Sequence, residues 1–345
     1  MNNAQLLMME NDIPMIEFVT NKNGAFEPII QTSGSSVGIW AVIGEATQIT
    51  NTPSFSLDGT DRNVSLIIAN FSKITSFEVE SQNIKGSLDL SLLTKCTTFL
   101  LHSNSLLTSI TNPTHSENIL TYLAYTCGLT GTLDLSGLTG LGGIFEISIN
   151  PLTAVTFPTS SNTFTSFRAR TLTSITTLDL SGLTGLGGII SFYGNTNMAS
   201  LTLPTSSITI TQFLCYSTAL TSLNLSTLTG LGGALRIYSN SSLTALVFPT
   251  NSTAYSIMYL YSNALGVLNW SVINGTVTDI IINDNAFTSA ESDENIVSID
   301  TNINLSTSLN IGGTNGSLTD GSVTGFDGLA AKAQLIIEGV AVTAN

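Results

Sequence analysis

Leu133–Gly143 reads LDLSGLTGLGG. The same eleven residues return at Leu178–Gly188, and Leu223–Gly233 reads LNLSTLTGLGG. Both steps are 45 residues (178 − 133 and 223 − 178). Leu88 opens LDLSLLTK one step earlier and Leu268 opens LNWSVING one step later, so five copies share one register. Self-similarity at a fixed period means stacked units that shelter each other's apolar faces, before it means anything about chemistry.

Each period divides again. Ile74, Phe77, Val79, Gln82 and Ile84 fall on an LxxLxLxxNxL spacing, as do Cys96, Phe99, Leu101, Asn104 and Leu106. Ile210, Phe213, Cys215, Thr218 and Leu220 repeat it, then Tyr255, Met258, Leu260, Asn263 and Leu265. The LxL pair points inward from a strand. The polar residue after it (Asn104, Asn150, Asn195, Asn240, Asn263) is placed to bond the backbone of a bend. Pro113, Pro158, Pro204 and Pro249 end the return segments. The pairs Gly142-Gly143, Gly187-Gly188 and Gly232-Gly233 provide tight returns with positive φ. These returns are too rich in Gly and β-branched residues for full helices, so extended or 3₁₀ geometry is expected. A one-residue difference near Leu172 leaves the register there open.

Spacing and period together resemble the leucine-rich-repeat family over about 210 residues, a family whose units run about 20–29 residues. The text looks most like the Ser/Thr-rich variety of Bacteroidetes and their phages. The expected fold is therefore mainly β. It comprises a leucine-rich-repeat solenoid over 74–286, with about ten half-repeats in a 45-residue double period. An N-terminal β-sandwich-like domain (1–73) precedes it, and a small α/β C-terminal cap (287–345) closes it.

In the first 73 residues, strands are expected at Ile16–Thr20, Ser36–Ile43, Ser54–Leu57 and Val64–Ala69. Trp40, Gly44, Pro53, Phe55 and Val64–Asn70 resemble a degenerate PKD-type domain, which implies a spacer, cap or attachment module. Its usual acidic turn has become Gly44-Glu45-Ala46. Beyond the repeat, Phe287–Asp300 reads as an acidic helix capped by Thr288 or Ser289. Leu309–Gly313 reads as strand-like, Gly325–Gln334 as a second helix, and Leu335–Asn345 as a closing strand. Lys332 and Leu335–Asn345 also resemble the ends of phage-type repeat proteins, with Val340 where those carry Trp.

Only 9% of residues are charged, against 42% hydrophobic, so Ser, Thr and Asn solvate the surface. The net charge is −14, and no basic patch exists to neutralise phosphates, which argues against nucleic acid as a partner. Residues 91–286 carry six acids and four bases, whereas 287–345 carry seven acids and one base. The opening MNNAQLLMMENDIPMIEF has no basic stretch and no long apolar run, so no secretory leader and no membrane span is expected. Cys96, Cys127 and Cys215 stand at apolar positions of the repeat and read as buried free thiols.

Residues flanking the LxL pairs face outward on the expected concave sheet. They are Glu146, Ser148, Ser191, Tyr193, Arg236, Tyr238, Ile281 and Asn283, with Tyr216, Tyr259 and Tyr261 from the alternate halves. Five of the eight tyrosines thus share one expected surface. Tyrosine suits sugar or protein contact, and equally a cross-strand ladder that only stabilises the sheet. The candidate binding set is Tyr193, Tyr216, Tyr238, Tyr259, Tyr261, Glu146 and Arg236. Asp134 and Asp179 recur at one repeat position, which favours a structural role over a glycosidase pair. Asp300, Asp320 and Asp327 raise a calcium reading, though their spacing matches no EF-type loop. His102 and His115 read as surface or bend residues, and the glycosylation-type triplets at Asn251 and Asn274 as products of composition. No catalytic residue, cofactor or metal is assigned.

The expectation is a non-enzymatic structural or adhesion protein. The phage-type resemblance implies a virion spike or fibre component, its N-terminal region holding other virion proteins and its solenoid binding a host cell-surface receptor, protein or glycan. A homo-oligomer fits multivalent attachment. The alternatives are a cellular interaction scaffold and a polysaccharide-degrading enzyme on a β-solenoid.

Overall fold

A computed structural model describes residues 13–345, apart from 116, 206, 251–253 and 274. The triplets at Asn251 and Asn274 therefore begin outside the described residues. The chain is mainly β and divides into two units, 1–164 and 165–345. Each unit is built of solenoid turns.

The repeat text explains the turn. In LDLSGLTGL every leucine points inward. Leu133 is 2% exposed, and Leu135, Leu138 and Leu141 are fully buried. The copy at Leu178, Leu180, Leu183 and Leu186 is buried in the same way. Each turn contributes one strand to a main sheet, and most add a short return strand that pairs with a neighbouring turn's, in small separate sheets. In the first unit the main sheet runs in parallel through Ile74–Glu78, Thr98–Leu100, Thr121–Leu123 and Gly143–Glu146. The returns pair in parallel as Ile84–Asp89 with Leu106–Thr111, and Gly131–Asp134 with Leu152–Thr156. The returns are thus extended, as their composition implies, and Pro113 and Pro158 stand just beyond the strand ends.

The N-terminal strands continue both sheets. Ile29–Thr32 lies antiparallel to Ile74–Glu78 of the main sheet. Ile16–Thr20 lies antiparallel to both Arg62–Ile67 and Ile84–Asp89. Ile39–Val42 and Gln48–Ile49 extend that sheet, and Asn23–Phe26 pairs with Phe55–Asp58. Trp40 and Phe26 are fully buried, and Phe18, Phe26 and Phe55 pack with centroids 6.2 Å apart. Three expected strands are shorter or shifted: Ser36–Ile43 narrows to Ile39–Val42, Ser54–Leu57 moves to Phe55–Asp58, and Val64–Ala69 moves to Arg62–Ile67. Asn23–Phe26, Ile29–Thr32 and Gln48–Ile49 were not expected. Their Gly- and Gln-bearing text lacks alternation, and their pairing partners, not propensity, make them strands.

In the second unit the main sheet runs in parallel through Phe164–Arg168, Gly188–Ser191, Ile210–Leu214, Leu231–Arg236, Tyr255–Tyr259, Thr276–Ile281, Asn304–Asn310 and Ala341–Thr343. Thr177–Asp179 pairs with Ser200–Thr202, and Ser222–Asn224 with Ala245–Val247, as two separate two-stranded return sheets. Helices α1 (Ser289–Asn302) and α2 (Gly328–Ile337) replace the short returns in the last turns. Thr288 caps α1 in a reciprocal capping box with Glu291. Asn295 of α1 is fully buried and accepts from Leu268 N (3.1 Å) and Trp270 Nε1 (2.9 Å), tying the cap to the last leucine-bearing return. The closing segment differs from expectation. Leu335–Ile337 finish α2, because Ala331 and Leu335 share its buried stripe, and only Ala341–Thr343 is strand.

The corners obey one rule. Asn104 donates from Nδ2 to Val79 O and Leu101 O, both at 2.8 Å, and its Oδ1 accepts from Ile84 N at 2.9 Å. Asn150, Asn195, Asn240 and Asn263 bond across the turns in the same manner. Asn285 and Asn315, which spacing alone did not reveal, carry the ladder into the cap. Cys127 stands at the same place, its Sγ donating to Leu101 O (3.3 Å). The residue before each rung turns left-handed: φ is 60° at Ser103, 53° at Thr126, 58° at Ile149 and 55° at Ser239. Among the described residues no helix is long and apolar enough to cross a membrane.

Candidate binding face

Strand alternation decides which side chains reach the main sheet's outer surface. In the second unit Phe167, Ala169, Ile190, Phe192, Phe213, Cys215, Leu235, Ile237, Met258 and Leu260 all point inward and are fully buried. The residue between each inward pair faces out. Strand register aligns these as one column: Arg168, Ser191, Leu214, Arg236, Tyr259 and Ile281. The residue after each pair forms a second column: Arg170, Tyr193, Tyr216, Tyr238, Tyr261 and Asn283.

The second column is a stack. Tyr193 and Tyr216 have ring centroids 4.6 Å apart, Tyr216 and Tyr238 4.4 Å, and Tyr238 and Tyr261 4.6 Å. Their planes differ by 6°, 8° and 7°. The strand spacing of about 4.8 Å sets this distance, so the rings cover one another's faces and turn their edges and hydroxyls outward. Burial pushes the Tyr216, Tyr238 and Tyr261 hydroxyls up. Arg170 closes one end: its guanidinium lies 5.2 Å from the Tyr193 centroid, and Nη1 donates to the Tyr193 oxygen at 2.7 Å. In the neighbouring column Arg236 lies 6.0 Å from the Tyr259 centroid and donates to Gln212 Oε1 at 3.3 Å. Tyr259 and Tyr261 meet at 6.3 Å and 54°.

Of the residues expected on this surface, Tyr193, Tyr216, Tyr238 and Tyr261 form the stack, with Tyr259 and Arg236 beside it. Glu146 belongs to the first unit, is only 7% exposed and is engaged in interactions of its own. Ser148 and Ser191 stand on the outward side but are only 1% and 3% exposed. Arg170 was missed. Its position 23 residues before Tyr193 (193 − 170) was the available signal, hidden by the open register near Leu172. In the first unit His102 and Tyr125 stack at 4.3 Å and 6° in the same column position. Burial lowers the His102 pKa, against the opposing pull of Glu80 and Glu146.

Carboxylates elsewhere serve the backbone. Asp89, Asp134 and Asp179 each accept from the amide two residues on (Ser91, Ser136, Ser181) at 2.9 Å, which explains the D of LDLS. Asp320 accepts from Ser322 N (3.0 Å), and Asp327 caps α2 through Ala330 N (2.8 Å). Asp300 stands apart from them, its pKa raised by burial and by Glu338. Among the described residues no cluster of three or more potential ligands could hold a metal ion. His115 Nδ1 accepts from Glu117 N (3.2 Å) at a bend. Cys96, Cys127 and Cys215 are buried free thiols, pushed up by burial to about 12, 11 and 12.

No family model matches the chain, and no curated protein matches it. Among solved structures, the functional domain of InlJ from Listeria monocytogenes, which includes a cysteine ladder, is similar at 16% identity over 74% of this chain and 77% of that one, with a TM-score of 0.22.

Proposed function

We propose that this is a non-enzymatic adhesion protein that binds a surface receptor through the tyrosine-bearing face of its second unit. The stacked column Tyr193–Tyr216–Tyr238–Tyr261, flanked by Arg236 and Tyr259, carries this reading. A sheet gains stability from such rings wherever they stand, but here four of them share one outward column, with arginines beside it. The carboxylates of LDLS are committed to turn amides, which supports a binding role over hydrolysis.

In its fuller form the reading makes the chain a bacteriophage spike or fibre component, with the N-terminal region, of PKD-like kind, attached to other virion proteins. The low charge and the phage-type text of the repeat and tail support it. Mass spectrometry of purified virions tests the location: the protein is expected among the structural proteins, and its absence there removes the phage reading. For the face, Tyr193→Ala, Tyr238→Ala and Tyr259→Ala combined are expected to abolish adsorption to host cells while the melting transition stays cooperative. Unchanged adsorption discards the face.

A further inference from the structure

A tyrosine-bearing binding face leaves the receptor's chemistry open, and the charges around the stack narrow it; the ligand assigned to the face depends on the face being a binding surface at all. The chain carries −14 overall, yet residues 165–278 hold three bases (Arg168, Arg170, Arg236) and one acid, Asp179. Asp179 lies on a return strand, off the main sheet, and holds the Ser181 amide. The next acid along the chain, Asp279, accepts from Ser308 Oγ at 2.6 Å. All three arginines fall in the two outward columns of the main sheet. Within the second unit these two columns thus carry three bases and no acid on an acidic protein, with Asp279 outside them, two residues before Ile281. Arg236 is the decisive member. It touches the Gln212 side-chain oxygen and the Tyr259 ring, and pairs with no carboxylate among the described residues. A guanidinium held on a half-buried shelf without a counter-ion is a ready partner for a planar anion. In its own column, Ser191 keeps a hydroxyl without a hydrogen-bond partner at 3% exposure.

The stack decides the rest. Ring faces that cover each other cannot stack on a ligand; edges and hydroxyls can hydrogen-bond one. The surface thus offers a line of neutral hydroxyls with one uncompensated cation beside it. That pattern matches a polymer rich in hydroxyls that carries a carboxylate on only some of its residues. A polyphosphate, charged at every unit, calls for a row of such cations. We propose that this face binds an acidic polysaccharide, laid along the tyrosine column with a uronate carboxylate on the Arg236 guanidinium.

The test uses the full chain in calorimetric titrations with galacturonate oligosaccharides, dextran oligosaccharides and inorganic polyphosphate. Galacturonate is expected to bind, weakening as salt is raised, with dextran and polyphosphate both weaker. Arg236→Gln is expected to lower galacturonate affinity by about 10–100-fold, the loss of one charge-assisted contact, and to leave weak dextran binding unchanged. Arg236→Lys keeps the charge without the fork and falls between. Tyr238→Phe keeps the stack and removes one hydroxyl, for a loss of a few-fold. Equal binding of dextran and galacturonate, preferred binding of polyphosphate, or an Arg236→Gln variant that binds galacturonate as the parent does, overturns the assignment. If none of the glycans binds while the tyrosine substitutions still abolish cell adsorption, the polysaccharide fails and the binding face stands. If adsorption is also unaffected, both fail.

Discussion

At the scale of the residue, the corner asparagines are what make each turn closed rather than merely apolar. Asn150 is 2% exposed and satisfies Ala124 O (2.8 Å), Ile147 O (2.8 Å) and Leu129 N (3.2 Å) at once. Asn150→Ala strands all three, at about 1–3 kcal/mol each, so a loss of at least about 3 kcal/mol is expected in chemical denaturation. Asn302→Ala, at an exposed position of α1, serves as the control and costs less than about 0.5 kcal/mol. Asp58 supplies a pH test. The Thr60 hydroxyl, then the Thr60 amide and Arg62, hold its carboxyl down at about 2. Its contribution is present above the unfolded value of about 4 and is lost as pH falls toward 2. An NMR titration should place its midpoint near the lower figure, and Thr60→Val should move it upward; a midpoint indifferent to Thr60 contradicts the assignment. The asparagines at 104, 150, 195, 240 and 263 were legible because the LDLS and LNLS copies fix the period around them. Asn285 was not, because the repeat text decays after Trp270, and Asn315 is set back by the intervening helix α1. The left-handed residues before the rungs were also hidden: Thr126 and Ile149 are β-branched, the type least suited to positive φ, and only the surrounding bonds hold them there.

At the scale of the element, the double glycines show why a return needs more than flexibility. Only the second of each pair has positive φ: 58° at Gly143, 65° at Gly188 and 65° at Gly233. A Cβ on Gly143 would stand 2.0 Å from Leu120 O, whereas Gly131, at φ +66°, has nothing within 4 Å. Gly131→Ala should therefore cost about 1–2 kcal/mol, the penalty of left-handed backbone alone. Gly143→Ala must in addition displace the neighbouring strand, and thermal melts should show a loss well beyond that of Gly131→Ala. Equal losses would mean that the close approach has no energetic weight. The tyrosine column was half legible at this scale. Spacings of 23, 22 and 23 residues (193 to 216, 238 and 261) place the rings on one face, but only the register brings them face to face. Stacking turns what reads as four open aromatic platforms into one ribbon of edges and hydroxyls. That is why the proposed polysaccharide hydrogen-bonds to the column instead of stacking on it. Glu146 shows the converse limit, since alternation gives its direction and only packing gives its cover.

At the scale of the whole molecule, the account rests on interchangeable turns: any two apolar faces one double period apart should fit the same neighbour. The N-terminal strands and the helices α1 and α2 are where that interchange stops. There one antiparallel layer continues both sheets of the first unit, and helices replace the returns of the second. Sequence periodicity says where repetition ends but not what closes it, because pairing rather than pattern makes strands of Asn23–Phe26 and Ile29–Thr32. The most direct measurement is the cooperativity of unfolding after excision of residues 177–221, one 45-residue period within the second unit. Thr176 then joins Ser222, and the strand at Leu223 takes the place of the one at Leu178. A single sharp transition with near-parental stability per residue is expected, while excision of 44 residues from the same point should abolish it. A chain that tolerates both deletions alike, or neither, would contradict the claim that register between stacked turns specifies this fold and the face it presents.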